Sequence, residues 1–232
     1  MNFRANPNVV EAVLPEPFRP RTHGGFAIVG ICLIRLEHER PVGMPEVFGM
    51  SSENAAHRIA VEWTDGDGQI RHGVYVPRRD TNSIPQRLAG GRLFSVKSHA
   101  ATVSVSDLNG RIAMRVRSAD GDGSIEVVGQ EADFFPESSC FESLAQSSEF
   151  FEQGSVGYSP IDGKPGFDGV ELWTPNWQVR LLAVERVHSS YFQNLGRFPA
   201  GSVEFDHALV MRDIEHEWRT LPQMDANADS PR

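Results

Sequence analysis

The sequence is poor in lysine and cysteine. Its basic residues are arginines except for two lysines, Lys97 and Lys164. The two cysteines, Cys32 and Cys140, have no CxxC or metal-type spacing, which favours reduced thiols in a cytoplasmic protein. A net charge of -9 argues against nucleic acid, because phosphate binding needs an excess of cations. The longest apolar run, Phe26 to Ile34, is too short to cross a bilayer, and no signal-peptide pattern is present. We expect a soluble, cytoplasmic protein without nucleic-acid or membrane partners.

Several catalytic motifs are absent as well. The best HExxH candidate begins at His216, but Thr220 stands where the second zinc ligand would be. The glycines form neither a P-loop nor a correctly spaced GxGxxG, and no GxSxG is present. The histidines show no other metal-ligand spacing. The sequence therefore predicts neither a metal nor another cofactor.

Strand patterns dominate the chain. A continuous run of Ile, Val and Leu from Phe26 predicts a buried strand, and residues 57–77 predict a β-hairpin. The Pro/Gly-rich stretch 40–53 predicts a loop with one helical turn. Helices are predicted at Ser83–Gly90 and at Ser139–Gln153, the second capped by Ser139. Further strands are predicted at Arg92–Ser106, Arg111–Arg117, Ser124–Glu131, Val156–Pro160, Val170–Thr174, Trp177–Val187 and Val203–Trp218, the last as strand throughout or as strand then helix.

Together these elements predict a mainly β (α+β) fold, an antiparallel β-barrel or curled sheet with two or three short helices. We expect one domain over residues 10–220. Residues 1–9 and 221–232 are expected to be disordered.

Lys97 is the residue with the most distinctive chemistry. In a strand over Arg92–Ser106 it shares a face with Ser95 and His99. If this face points into a barrel, desolvation lowers the pKa of the lysine and yields an amine that forms Schiff bases. If it points to solvent or meets a carboxylate, Lys97 is only a charge.

The order of short motifs resembles the acetoacetate decarboxylase-like superfamily, most closely its uncharacterised bacterial branch, a domain-of-unknown-function family. The resemblance covers roughly residues 10 to 220. The motifs are Leu14-Pro-Glu-Pro17, Arg40-Pro-Val-Gly-Met-Pro45, Gly49-Met-Ser-Ser-Glu53, Arg58, Gly73-Val-Tyr-Val76, Arg79-Asp-Thr-Asn-Ser83, Val156-Gly-Tyr-Ser-Pro160, Gly169-Val-Glu-Leu172 and Glu204-Phe-Asp-His-Ala-Leu-Val-Met-Arg212, followed by His216 and Trp218.

This resemblance implies a barrel around an apolar cavity, a Schiff-base lysine within Pro-Lys-Lys and a glutamate within Gly-x-x-x-Glu. Here Val96-Lys97-Ser98 falls at the lysine pair, and Gly49-x-x-x-Glu53 at the glutamate loop. The sequence departs from the decarboxylases at Ser98, where they have the second lysine. The N-terminal strand that supplies an arginine in those enzymes is not evident.

Three functions remain open at the level of sequence. In the first, Lys97 forms an imine with a small oxo acid, Glu53 donates or accepts a proton, and Arg58 holds the substrate carboxylate. Tyr75 and His99 complete the predicted substrate-binding set. In the second, the same cavity binds a small apolar or carboxylate ligand without catalysis. In the third, side chains fill the barrel and the outer surface serves assembly, for instance as a homo-oligomer.

Overall fold

The computed structural model of the protein describes residues 1–40, 43–84 and 98–226. The helices are α1 (Pro7–Glu11) and α2 (Leu144–Glu152), and a 3-10 helix covers Glu46–Phe48. The strands are β1 Asn2–Ala5, β2 Arg19–Pro20, β3 Thr22–His23, β4 Phe26–Glu39, β5 Met50–Thr64, β6 Ile70–Thr81, β7 Ser98–Leu108, β8 Arg111–Ser118, β9 Ile125–Ala132, β10 Val156–Pro160, β11 Phe167–Trp173, β12 Arg180–Ser189, β13 Val203–Val210 and β14 Glu217–Met224.

Across the described residues, nine strands close into a barrel, which confirms the predicted mainly β fold. Their order is β6-β7-β8-β9-β12-β13-β1-β4-β5, and β5 pairs with β6 to complete the circle. Neighbouring strands are antiparallel except β6 and β7, which are parallel. The barrel is therefore mostly antiparallel, as predicted, with one parallel pair that makes it mixed. A parallel pair needs a connection longer than a hairpin, and 16 residues separate the end of β6 at Thr81 from the start of β7 at Ser98 in the sequence.

Three further strands extend the sheet from β6. β10 pairs in parallel with β6, β11 pairs antiparallel with β10, and β14 pairs antiparallel with β11. We call these three strands the wing.

The free edge of β6 is divided between the wing and the barrel. β10 lies opposite Val74 and Tyr75, and β7 lies opposite Arg79–Thr81. The two neighbours therefore separate over residues 76–78, a gap that we call the fork. Pro77 lies in this gap and has no N–H to donate to a neighbouring strand.

The pairing of β5 with β6 is also irregular at the fork. Ile59 lies opposite Tyr75, but His57 lies opposite Arg78, so β6 carries one extra residue there. This β-bulge keeps Tyr75 and Arg78 on the same side of the sheet as His57 and Ile59.

The continuous apolar run of β4 is explained by cover on both faces. Val29 and Ile31 belong to the main core inside the barrel. Ile28 points the other way and packs with Phe150 and Phe151 of α2. A strand buried on both faces has no polar face to alternate with, so its sequence shows no period of two.

The residue that caps α2 lies four positions later than predicted. The side chain of Ser143 accepts a hydrogen bond from the Gln146 N–H and caps the helix. The predicted cap, Ser139, instead donates its Oγ proton to Asp206 Oδ1 at 2.5 Å. Both serines precede an apolar helical pattern. Ser143 is the cap because the side chain of Ser139 is already bound to Asp206 of β13.

The N-terminus is a correction to the sequence prediction. Residues 1–9 were expected to be disordered, but β1 pairs with both β4 and β13, and α1 starts at Pro7. Phe3 and Ala5 are buried in the core. β1 is thus an N-terminal strand. The sequence does not predict it because four residues are too few to show an alternating hydrophobic pattern.

The C-terminal third also differs in detail. The predicted element Val203–Trp218 is two separate strands, β13 and β14, which pair with different neighbours. β14 runs to Met224, inside the tail that was expected to be disordered, and residues 227–232 lie outside the described residues. The strands predicted at β8 to β12 are confirmed with small shifts of their ends. The helix predicted at Ser83–Gly90 and the start of the Arg92–Ser106 strand fall largely on residues that the structure does not describe.

Candidate functional site

Glu53 lies on the inner face of the barrel wall. The β4–β5 ladder is regular from Val29↔Ile59 to Leu36↔Ser52, so the side chains of Glu53 and Ile59 share one face. Ile59 is a core residue, which identifies that face as the interior one. Across the ladder, Arg35 donates from Nε to Glu53 Oε1 at 2.6 Å.

A cleft opens beside this ion pair at one end of the barrel. Its volume is about 260 Å³, and we call it the Glu53 cleft. Asn82 fixes the backbone of Glu53, because its Oδ1 accepts from the Glu53 N–H at 2.9 Å. The cleft is lined by Arg35, Leu36, Glu37, Ser51, Ser52, Glu53 and Asn82.

Arg35 uses only one side of its guanidinium. Nε binds Glu53, but neither terminal nitrogen has a hydrogen-bond partner within the described ranges. Its side chain is 46% exposed, against 18% for Glu53. A second carboxylate, Asp107, lies near Arg35, but Arg212 already binds it with two hydrogen bonds, at 2.6 and 2.9 Å. These bonds hold the pKa of Asp107 below its usual range, with a smaller contribution from Arg35. Arg35 therefore lines the cleft with two terminal nitrogens that bind no other described residue.

Arg58 is not brought to this cleft. It stands five residues after Glu53 on the same regular strand and so points to the outer face of the barrel. There it donates to Asn2 Oδ1 at 2.6 Å and to Cys32 Sγ at 3.1 Å, and its guanidinium carbon lies 4.5 Å from the centre of the Phe151 ring.

Tyr75 belongs to an aromatic cluster rather than to the cleft. It is 9% exposed, and its ring centre lies 5.6 Å from Phe18 and 6.0 Å from Phe167. Burial raises the pKa of its phenol to about 12, which keeps the hydroxyl protonated at neutral pH.

Lys97 lies outside the described residues. The next residue, Ser98, begins β7 opposite Arg79. His99 faces Asp80 across the same parallel pair, and its Nδ1 lies 2.8 Å from Asp120 Oδ2. Of the four predicted site residues that the structure describes, only Glu53 lines the Glu53 cleft.

A buried ion cluster around Arg78 was not predicted. Arg78 is 6% exposed and donates twice to Asp80, twice to Asp120 and once to Ser118. These hydrogen bonds lower the pKa of Asp120 and raise that of Arg78, because each stabilises the charged form of the other. The carboxylate at 120 comes from a turn that the sequence marks only by its Asp-Gly-Asp-Gly composition.

His57 is a second buried polar group inside the barrel. It is 0% exposed, its Nε2 lies 3.2 Å from Ser189 Oγ, and its ring centre lies 4.6 Å from Tyr191. Within the part of the chain that the structure describes, Nδ1 has no hydrogen-bond partner. Burial lowers the pKa of His57 to about 3, and the positive charges of Arg78 and Arg197 add to this effect.

Ser147, His207 and Asp206 have the hydrogen-bonding order of a catalytic triad. Ser147 Oγ lies 2.6 Å from His207 Nε2, and His207 Nδ1 lies 2.5 Å from Asp206 Oδ1. A nucleophile must reach its substrate, yet Ser147, a residue of α2, is 0% exposed. We therefore assign the three residues to holding α2 against the barrel.

The described ranges contain no group of three or more His, Cys, Asp or Glu side chains that could hold a metal ion. No helix within them is both long and apolar enough to span a membrane.

Comparisons with known proteins agree with this architecture. The sequence model of the DUF2071 family, described as an uncharacterized conserved protein, matches residues 1–208. The fold is similar to that of acetoacetate decarboxylase from Legionella pneumophila, with a TM-score of 0.57, 11% identity and coverage of 97% of this chain and 83% of the other. A second acetoacetate decarboxylase structure gives a TM-score of 0.60 at 11% identity, over 96% of this chain and 85% of the other. No curated protein sequence matches the chain.

Proposed function

Because the chain belongs to the DUF2071 family and has the fold of the acetoacetate decarboxylases, we propose that it binds a small oxo acid or related carboxylate in the Glu53 cleft. The observation that carries this proposal is the Arg35–Glu53 pair on the interior face of the barrel, with the terminal nitrogens of Arg35 unused among the described residues. A guanidinium presents parallel N–H donors that match the two oxygens of a carboxylate.

Glu53 contributes to ligand binding by positioning Arg35. Its carboxylate orients Arg35 through Nε, so the cation is held in one direction before a ligand arrives. Fixing the side chain in advance reduces the entropy lost on binding. A ligand with a carbonyl beside its carboxylate also places a hydrogen-bond acceptor near a group able to carry a proton.

Thermal unfolding with a panel of 2-oxo and 3-oxo acids tests this binding, with the corresponding neutral amides as controls. At ten times the dissociation constant, a ligand stabilises the fold by about 1.4 kcal/mol, which raises the Tm of a chain of this size by about 3 to 6 °C. Arg35→Met should abolish the shift. Arg111→Met, which removes a similarly exposed arginine paired with Glu185, should retain it. A shift that survives Arg35→Met, or no shift with any acid, contradicts the proposal.

A second candidate function adds a covalent step at Lys97. It is favoured by the match of Gly49-x-x-x-Glu53 to the glutamate loop of acetoacetate decarboxylase, together with the interior position of Glu53. The neutral amine would attack the ligand carbonyl and lose water to form an imine, and Glu53 would carry the proton. The protonated imine can then accept the electrons of a breaking C–C or C–H bond.

Borohydride reduction in the presence of each binding oxo acid tests this step. Mass spectrometry should find a reduced adduct on Lys97, and the exposed Lys164 serves as internal control. Binding without an adduct would identify a noncatalytic small-molecule-binding protein, the alternative function of the same cleft.

A further inference from the structure

Arg79 is a partly buried cation without a counter-ion in contact among the described residues. Its Nε atom is buried without a hydrogen-bond partner, and the guanidinium forms no ion pair with residues of the described ranges. The preceding arginine is the opposite case, because Arg78 is saturated by Asp80, Asp120 and Ser118. The side chains of Arg78 and Arg79 point to opposite sides of β6 and therefore have different surroundings.

Arg79 lines a small pocket at the fork. The pocket has a volume of about 150 Å³ and lies where β7 and β10 separate along β6. We call it the fork pocket. It is lined by Val76, Pro77, Arg78, Arg79, His99, Pro160, Ile161 and Asp162.

The surroundings of Arg79 do not balance its charge. Burial lowers the pKa of its guanidinium, and the nearby Asp168 and Cys32 offset this effect only in part. A charge that loses water without gaining a hydrogen-bonded partner destabilises the folded state. Binding an anion in the pocket would remove this penalty.

A second polar atom without a partner lies on the other side of the fork. Ser159 is 0% exposed, and its Oγ has no hydrogen-bond partner among the residues described. It directly precedes Pro160, which lines the pocket. Buried polar atoms are normally paired, so the unpaired Nε of Arg79, a residue of the pocket wall, favours a polar ligand there.

We propose that the fork pocket binds a small, singly charged carboxylate through the guanidinium of Arg79. The volume limits the ligand to a few heavy atoms. Asp162 lines the same pocket with an exposed carboxylate, which disfavours doubly charged anions. This site is separate from the Glu53 cleft and does not depend on it.

The test uses full-length protein carrying Arg35→Met, so that binding in the Glu53 cleft does not contribute. Thermal unfolding is followed as formate or acetate replaces chloride at constant ionic strength. The reference protein should show a saturable rise in Tm of about 3 to 6 °C at ten times the dissociation constant. Added Arg79→Met should abolish the rise, whereas Arg186→Met, which removes an exposed arginine paired with Glu126, should leave it unchanged.

The order of stabilities distinguishes a ligand site from a structural role. In chloride alone, the Arg79→Met protein should be at least as stable as the reference, because an unpaired charge has been removed. In saturating formate the order should reverse. An Arg79→Met protein that is less stable in both conditions, or fails to fold, overturns the proposal.

Charge selectivity provides an independent check. Sulfate should bind more weakly than formate, and Asp162→Asn should reduce that difference by several-fold, since it removes a repulsive charge. Equal responses to sulfate and formate in the reference protein would contradict a site for singly charged anions.

Discussion

Acidification from pH 7 to pH 5 should destabilise the protein by about 2 kcal/mol through His57 alone. This side chain is 0% exposed inside the barrel, beside Ser189 and Tyr191. Arg78 and Arg197 add positive charge nearby. The site therefore accepts a neutral imidazole and resists a charged one.

The sign and size follow from the two protonation states. In the unfolded chain a histidine has a pKa of about 6.5, and in the folded protein burial lowers the pKa of His57 to about 3. Between these values the unfolded chain binds a proton that the folded protein does not. The stabilising effect is complete above pH 6.5 and is lost by about 1.4 kcal/mol per unit as the pH falls towards 3. Integrating from pH 7 to pH 5 gives about 2 kcal/mol.

Urea unfolding at pH 7, 6 and 5 measures this loss. His57→Asn should lose about 2 kcal/mol less than the unmodified protein over this range, although it starts from lower stability. His188→Asn, at an exposed position, should follow the unmodified protein. The other buried histidine, His207, is present in all three proteins, so its contribution to the pH dependence cancels in the comparison. Parallel curves for all three proteins would refute the reasoning. If His57→Asn does not fold, NMR titration should still find the His57 imidazole neutral at pH 5.

Three further outcomes can be measured by the same method. Gly123→Ala should destabilise the fold by roughly 2 to 4 kcal/mol. The added Cβ would lie 2.6 Å from an Asp80 oxygen and even closer to Arg78. The control Gly66→Ala has open space around the added Cβ and should change stability by less than about 1 kcal/mol. Asp206, whose pKa is lowered to about 2 chiefly by the hydrogen bond from His207, stabilises the fold above pH 4 and loses that effect as the pH falls towards 2. Asp206→Asn should therefore lower the free energy of unfolding by roughly 2 to 3 kcal/mol at pH 7. It should also make that free energy depend less on pH between about pH 4 and pH 2. Ser143→Ala should cost about 1 kcal/mol through the lost cap of α2, and an unchanged midpoint would contradict the assigned start of that helix.

The sequence predicts the strands well because their signals are local. β10 is predicted to the residue, and the hairpin of β5 and β6 is marked by an Asp-Gly turn. The parallel β6–β7 pair carries no such signal. When two strands are far apart in the sequence, their residue patterns do not show whether they pair in parallel or antiparallel. Closure of the barrel through this pair is a tertiary property.

The site is predicted less completely, for a related reason. Residues 40–53 read as a loop, but β5 already begins at Met50. Once Glu53 is known to lie on the same strand as Arg58, the odd spacing between them excludes a shared face. Arg35, the actual partner of Glu53, is 18 residues earlier and is matched to it only by strand register. The sequence therefore reveals the acid but not the cation beside it.

The two ends of the described sheet have a consequence for contacts between molecules. Closing the barrel removes most free strand edges and leaves only β2 and β14 at the ends of the strand order. β2 is two residues long and includes Pro20, and β14 carries Pro222 and the charged Arg219. Prolines and charges deny an incoming chain the regular row of backbone donors and acceptors that amyloid-like stacking requires. Pairing of two copies of this protein through the edges of β2 and β14 is therefore disfavoured.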